Sequence, residues 1–267
     1  LQLSRNFIVD VVRHHLQTPE QILGLNFITE AASDSEVHRL DLATLNHDCI
    51  VEHLLRNLGL TVTDGFGEPD GAIRHFNPQA YSSSAARIRL YKLHGSINWH
   101  MIQRFFNGKL KVQGPALVTN HDPDHCSDAE GARWRLSDPQ PLLLIGQWSK
   151  WLDYQLYYYS ALMEAFREAL SSTKVVVSSG YGWGDWGINE RLLDWVRSDK
   201  DRQLVILCAE PEHDILHPRH PRIPFSIANQ PDGRIQIIRH WLSDVRWEEI
   251  KNRPGLFGRV SSMQSGS

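Results

Sequence analysis

Short apolar runs that stop at polar or glycine-rich turns, with helical patterns between them, constrain this chain more than any other feature. Residues 40–45 (LDLATL) end at Asn46-His47-Asp48, and apolar residues at helical spacing follow, Ile50, Val51, Leu54, Leu55 and Leu58, closed by Gly59. Residues 88–93 (IRLYKL) alternate as a strand and end at His94-Gly95-Ser96. Residues 142–145 read as a short buried strand and precede a long helical stretch, 152–170. Residues 174–178 run into Gly180-Tyr181-Gly182-Trp183-Gly184-Asp185 and then a helix through Leu192, Leu193 and Val196. Residues 204–208 and 235–238 are two more apolar strands. Repeated strand, turn and helix predict an α/β fold, a Rossmann-like parallel sheet with helices on both faces.

Two stretches interrupt that rhythm. Residues 63–86 and 103–140 are dense in Gly, Pro, Asn, Asp and Ser and read as irregular insertions, the second with a hairpin at Asn107-Gly108. Before the first strand, Phe7, Ile8, Val11, Val12 and Leu16 recur at helical spacing, and a second helix is expected to follow Thr18-Pro19-Glu20. The expectation for residues 1–267 is a single domain.

Composition narrows the function classes. The longest apolar runs fall far short of the roughly 18 residues a spanning helix needs, and no signal-peptide pattern opens the chain. A net charge of −3 provides no global basic field to attract nucleic acid or anionic lipid. Cys49, Cys126 and Cys208 are far apart and form no CxxC, so neither a disulfide framework nor a zinc ribbon is expected and a reducing cytoplasm is the default. His121-Asp122-Pro123-Asp124-His125-Cys126 brings metal-ligating types together, but its spacing matches no zinc pattern and it reads as a surface loop.

In an open parallel sheet, ligands sit beyond the carboxyl ends of the strands. Three polar groups fall at such ends: Thr44, Asn46 and Asp48; His94, Gly95 and Ser96; and the segment from Gly180 through Tyr181, Gly182 and Asp185 to Asn189. The fold reading expects them near one another. A neutral imidazole at His94 suits proton transfer at neutral pH. Asn46 offers a donor and an acceptor together, and an ionised Asp48 accepts from a carboxamide. The glycines allow close approach of backbone N–H groups to a phosphate or ribose. Each group also has a plain structural use, as a helix cap, a strand terminator and a tight turn.

Taken in order, Thr44-Leu45-Asn46-His47-Asp48, Lys92-Leu93-His94-Gly95-Ser96-Ile97-Asn98-Trp99 and the segment from Gly180 to Asn189 resemble three consecutive motifs of the bacterial SIR2-like family, relatives of the sirtuins. In that family the patterns run roughly as T-x-N-Y-D, K-L-H-G-S-I-N-W and G-Y-S-F-x-D-x-x-I-N. The resemblance implies an NAD+ site in which Asn46 holds the nicotinamide ribose and positions the attacking water. Asp48 would engage the carboxamide and His94 would serve as general base. Gly180, Tyr181 and Asn189 would lie along the ribose and phosphates, with Thr44, Gly95, Ser96, Gly182 and Asp185 completing the cofactor-binding set. Glu210, after residues 204–208, would be a ribose ligand on the adenosine side.

Deacylating sirtuins usually carry a four-cysteine zinc module, which three scattered cysteines do not build, so the resemblance favours the NAD+-hydrolysing branch found in anti-phage defence, with no zinc. The family also opens with a strand and a glycine-rich phosphate loop, and nothing before Leu40 resembles them. The expectation is therefore an N-terminally incomplete domain, or a silent module that senses NAD+ or ADP-ribose or serves in assembly. Deacylation is the third alternative. Family members commonly self-assemble or pair with an effector or sensor chain.

Overall fold

The computed structural model describes residues 16, 22–83, 85–107, 109–118, 126–145, 157–209, 233–253 and 256. The chain divides into two compact units, Leu1–Ile22 with Glu36–Glu168, and Leu23–Ser35 with Ala169–Ser267. The parallel strands and intervening helices make the α/β, Rossmann-like class expected above, and the parallel strands are distributed over two three-stranded sheets, one in each unit.

The first unit holds a parallel sheet of β1 (Leu40–Thr44), β2 (Val62–Thr63) and β4 (Ile88–Lys92), with β4 in the centre. Helix α2 (Ile50–Asn57) follows β1 and ends where Gly59, at φ +69°, donates its N–H to the Arg56 carbonyl. Ile88, Leu90 and Tyr91 of β4 are buried together with Leu55 of α2. Tyr81, on the short helix α3 (Ala80–Ser83), stacks on Tyr91 with ring centroids 4.5 Å apart and donates its hydroxyl to the Leu90 carbonyl at 2.8 Å.

An antiparallel sheet in the same unit has the order β3-β6-β5-β8-β7, formed by Ile73–His75 (β3), Trp99–Phe106 (β5), Lys109–Val118 (β6), Cys126–Ser127 (β7) and Arg133–Leu136 (β8). Its centre is the hairpin expected at Asn107, which takes φ +48°. Ile73, Ile102, Ala116, Val118, Cys126 and Trp134 form its core.

Helix α4 (Tyr157–Ser171) leads into the second unit, where β9 (Val175–Ser179), β10 (Gln203–Leu207) and β11 (Ile235–Ile238) form a parallel sheet with β10 central. Helix α5 (Trp186–Ser198) connects β9 to β10. Val205, Leu207 and Ile238 pack with Phe27 of α1 (Asn26–Ser33), Val245, and Ile250 of α6 (Trp247–Lys251). Apolar burial at the level of about 25 cal/mol per Å² holds such β-branched strands in place.

One expectation requires correction. Residues 142–145 form no strand: Leu143 makes one isolated antiparallel bridge to Gly95, because the backbone on either side of it bonds to the turn after β4. The helix expected to follow Thr18-Pro19-Glu20 starts outside the described residues; residues 22–25 are not helical, with Gly24 at φ +76°, and α1 begins at Asn26. The helix read from Phe7 to Leu16, the loop segment 121–125 and Glu210 lie outside the described residues, save Leu16 itself. Among the described residues, no helix is long and apolar enough to cross a membrane.

Candidate functional site

Register fixes the positions of the first two motifs. β1 and β4 are parallel, and Thr44 is the partner of Lys92, so both strands end side by side. The Leu93 N–H continues the ladder to the Thr44 carbonyl at 3.0 Å. Beyond that point the two turns bond to each other. The Ile97 N–H donates to the His47 carbonyl at 3.0 Å, and the Ser96 hydroxyl donates to the same oxygen at 3.3 Å. The His47 and His94 rings lie 6.2 Å apart, and the Cys49 thiol is 3.7 Å from the Ser96 hydroxyl.

Gly95 makes this approach possible. It sits at φ +81°, and a Cβ there would fall 1.9 Å from the Leu142 carbonyl oxygen and 2.8 Å from the Tyr159 hydroxyl. The Ser96 N–H donates to that Leu142 carbonyl, and the Leu144 N–H donates to the His94 carbonyl at 2.9 Å. His94 is 5% exposed and Ser96 is fully buried.

The other lip is open. Asn46 is exposed, its backbone N–H bonded to the Thr44 hydroxyl at 3.0 Å, and its carboxamide has no hydrogen-bond partner among the described residues. Asp48 accepts the Ile50 N–H at 3.0 Å, an Asx turn that leads into α2, whose N-cap residue Cys49 makes no side-chain cap bond. Beneath them lies Lys92, 1% exposed, whose ammonium donates to the Asp48 carbonyl and to Glu52 Oε1 at 2.8 Å. Burial pushes the Cys49 thiol above its ordinary range, and the Lys92 charge partly opposes that shift.

The third motif belongs to the second unit and folds on itself. Gly180 turns the chain at φ +63°, and Trp183, buried, takes φ +53°, a left-handed conformation that costs a non-glycine residue about 1–2 kcal/mol. Asn189 is fully buried and holds this turn: its amide donates to the Trp183 carbonyl at 2.9 Å, and its Oδ1 lies 2.6 Å from the Tyr181 hydroxyl. The same hydroxyl is 2.9 Å from the Asp185 carbonyl, so two acceptors share its proton. Asp185 caps α5 by accepting the Ile188 N–H at 3.3 Å. Burial, then the Asp185 charge, pushes the Tyr181 phenol well up. Gly182 differs from Gly180. Its φ is outside the left-handed region and a Cβ would meet nothing within 4 Å among the described residues, so neither conformation nor packing there demands a glycine.

Thr44, Asn46, Asp48, His94, Gly95 and Ser96 thus gather at one sheet edge, and Gly180, Tyr181, Gly182, Asp185 and Asn189 share one turn. The candidate set omitted Lys92, Glu52 and Cys49, which stand among the first group. The signal for Lys92 was present: strand alternation puts it on the same face as Ile88 and Leu90, both buried.

A family model described as a SIR2-like domain matches residues 41–223, a span that includes all three motifs. No curated protein matches the chain significantly.

Proposed function

The chain belongs to the SIR2-like domain family, and from that premise we propose that it hydrolyses NAD+, releasing nicotinamide and ADP-ribose. One observation carries the reading. A buried imidazole, His94, and an exposed carboxamide with no hydrogen-bond partner among the described residues, Asn46, stand on adjoining turns at the carboxyl ends of parallel strands.

The residues suit that chemistry. Breaking the bond between the nicotinamide nitrogen and the ribose carbon returns the electron pair to the pyridine ring, which leaves neutral, while positive charge gathers on the ribose. The protein therefore needs to position groups and stabilise charge rather than protonate a leaving group. Asn46 would hold the ribose hydroxyl and the incoming water, Asp48 would accept from the carboxamide, and His94 would take the proton that water loses as its oxygen bonds to carbon. In the second unit, Gly182 is exposed and a Cβ there would meet nothing within 4 Å among the described residues, so its backbone N–H is approachable by an anionic group.

Nicotinamide release by the purified chain, followed over time, tests the proposal. Asn46→Ala and His94→Ala should each lower the rate by about 10²-fold or more while leaving the melting temperature near that of the parent. Unchanged turnover in both variants would overturn the assignment. Calorimetric binding of NAD+ without release would replace it by a sensing module. Consumption of cytoplasmic NAD+ during phage defence, in a self-assembled or partnered form, extends the same proposal. Cellular NAD+ should fall in cells carrying the parent chain and hold steady in those carrying His94→Ala.

A further inference from the structure

The element that the hydrolytic reading leaves without a role is the ion pair beneath the Asn46 turn. Lys92 is the last residue of β4 and is almost completely buried, on the same strand face as Ile88 and Leu90. Burying an ammonium is costly, and a methionine or leucine would fill that place on the strand without the cost. The pairing is also incomplete as a stabilising device: Glu52 Oε2 is buried and has no hydrogen-bond partner among the described residues. A pair selected for stability alone would satisfy both carboxylate oxygens. What the pair does supply is connection. Glu52 anchors Lys92 Nζ from helix α2, and Nζ then grips the Asp48 backbone carbonyl, 44 positions away in the chain.

That carbonyl lies inside the turn that carries Asn46 and Asp48. The other bonds of this turn divide into two kinds. Asn46 N–H to the Thr44 hydroxyl and Ile50 N–H to Asp48 Oδ1 each span two residues and set only local shape. Ile97 N–H and the Ser96 hydroxyl, both to the His47 carbonyl, tie the turn to the segment after His94, and the Cys49 thiol lies 3.7 Å from the same hydroxyl. Those ties all reach the segment at 96 and 97; Lys92 adds a separate fixed point at Asp48 that comes from the end of β4 itself.

We propose that Lys92 is a positioning residue, whose ammonium, anchored by Glu52, locks the 46–48 turn against the strand end bearing His94 and so sets the rate of glycosidic cleavage without touching substrate. The proposal rests on the hydrolytic reading for its kinetic consequence, while its structural claim stands apart from it. A displacement of about 1 Å in a positioned group lowers rate by about 10²-fold. The effect should fall on kcat, because the groups that bind substrate are still present.

The double variant Lys92→Met/Glu52→Leu removes both charges together, so neither is stranded. Its melting temperature should stay close to that of the parent, while kcat for nicotinamide release falls by about 10- to 100-fold with KM changed less than about threefold. Hydrogen exchange at the amides of residues 46–50 and at Ile97 should speed up by about tenfold or more relative to the β9–β11 sheet, which serves as the internal control. Parent-like exchange at those amides overturns the proposal whatever the activity, and so does faster exchange with parent-like kcat. If the parent itself releases no nicotinamide, the hydrolytic reading fails, and the exchange comparison still decides whether Lys92 holds the turn. Should the double variant not fold, Glu52→Gln replaces it, with an expected kcat loss of about three- to tenfold and partial loss of protection; parent values of both would overturn the proposal.

Discussion

The two motif-bearing regions are built in opposite ways. At the edge of the first parallel sheet, the bonds that shape the site join residues far apart in the chain: Lys92 to Asp48 across 44 positions, Cys49 to Ser96 across 47, Ser96 to His47 across 49. In the second unit, the turn after β9 is closed by bonds within its own segment, Trp183 to Asn189 across six positions and Tyr181 to Asn189 across eight. The first region exists only once β1 and β4 have paired, so its geometry answers to the whole unit. The second forms with its helix and carries its own restraints. Non-local bonds make a site sensitive to global packing, whereas local ones make it sensitive to the loss of a single member.

The sharpest test of that contrast uses two glycines. Gly95→Ala combines a left-handed residue with a Cβ 1.9 Å from a backbone oxygen, and a backbone atom has little room to yield. The expected loss is about 2–5 kcal/mol of unfolding free energy in denaturant titrations, with nicotinamide release lost in step. Gly182→Ala, whose Cβ would meet nothing within 4 Å among the described residues, should change stability by no more than about 0.5 kcal/mol while weakening NAD+ binding in calorimetry. Equal losses of stability in the two variants would erase the distinction.

Next in size is the loss of Asn189. Asn189→Ala removes the side-chain donor to the Trp183 carbonyl and leaves the Tyr181 hydroxyl only the Asp185 carbonyl, at about 1–3 kcal/mol. Tyr181→Phe alone should cost about 1–2 kcal/mol, and the double variant should cost less than the sum by about 0.5 kcal/mol or more, because both changes break the same network. Strict additivity would show that the turn is not one local unit.

The same division explains what was legible in the sequence. β1, β4, β9, β10 and β11 were readable within a residue or so, because their runs are short and apolar, alternating or β-branched, and β1, β4 and β9 stop near Asn46, His94 and Gly180. The end of α2 was readable from Gly59. The local turn from Gly180 to Asn189 was readable as a unit, since its restraints lie within the segment. Residues 142–145 misled because four apolar residues fit a strand pattern, whereas their backbone is used by the 94–96 turn. β2, at two residues, is too short to carry a pattern. Helix α1 starts without a side-chain cap and left no signal at Asn26. The Lys92–Glu52 pair, 40 positions apart, required the parallel register before its partners were identifiable.

Titration supplies the finest comparison, since each region buries one weak acid. Folding raises the Cys49 thiol above its ordinary 9.0, chiefly through burial, and raises the Tyr181 phenol above its ordinary 10.0 for the same first reason, with the Asp185 charge adding to it. Above the unfolded value the unfolded chain has released its proton while the native chain keeps it, so the native state binds more protons. Stability is therefore fully present below the unfolded value and is lost as pH rises towards the folded one. The thiol begins to act from 9.0 and the phenol only from 10.0, where Tyr81 and Tyr91, also raised by burial, join it. Cys49→Ala should flatten the fall in stability at the start of that range, between the two ordinary values. Tyr181→Phe should leave that part unchanged and flatten only the part above it. Denaturant titrations of the parent and both variants across the range measure the slopes directly. An unchanged slope in Cys49→Ala would mean that the thiol beside Ser96 is as well solvated as a free one, and the tightly closed turn around His94 would have to be redrawn as an open one.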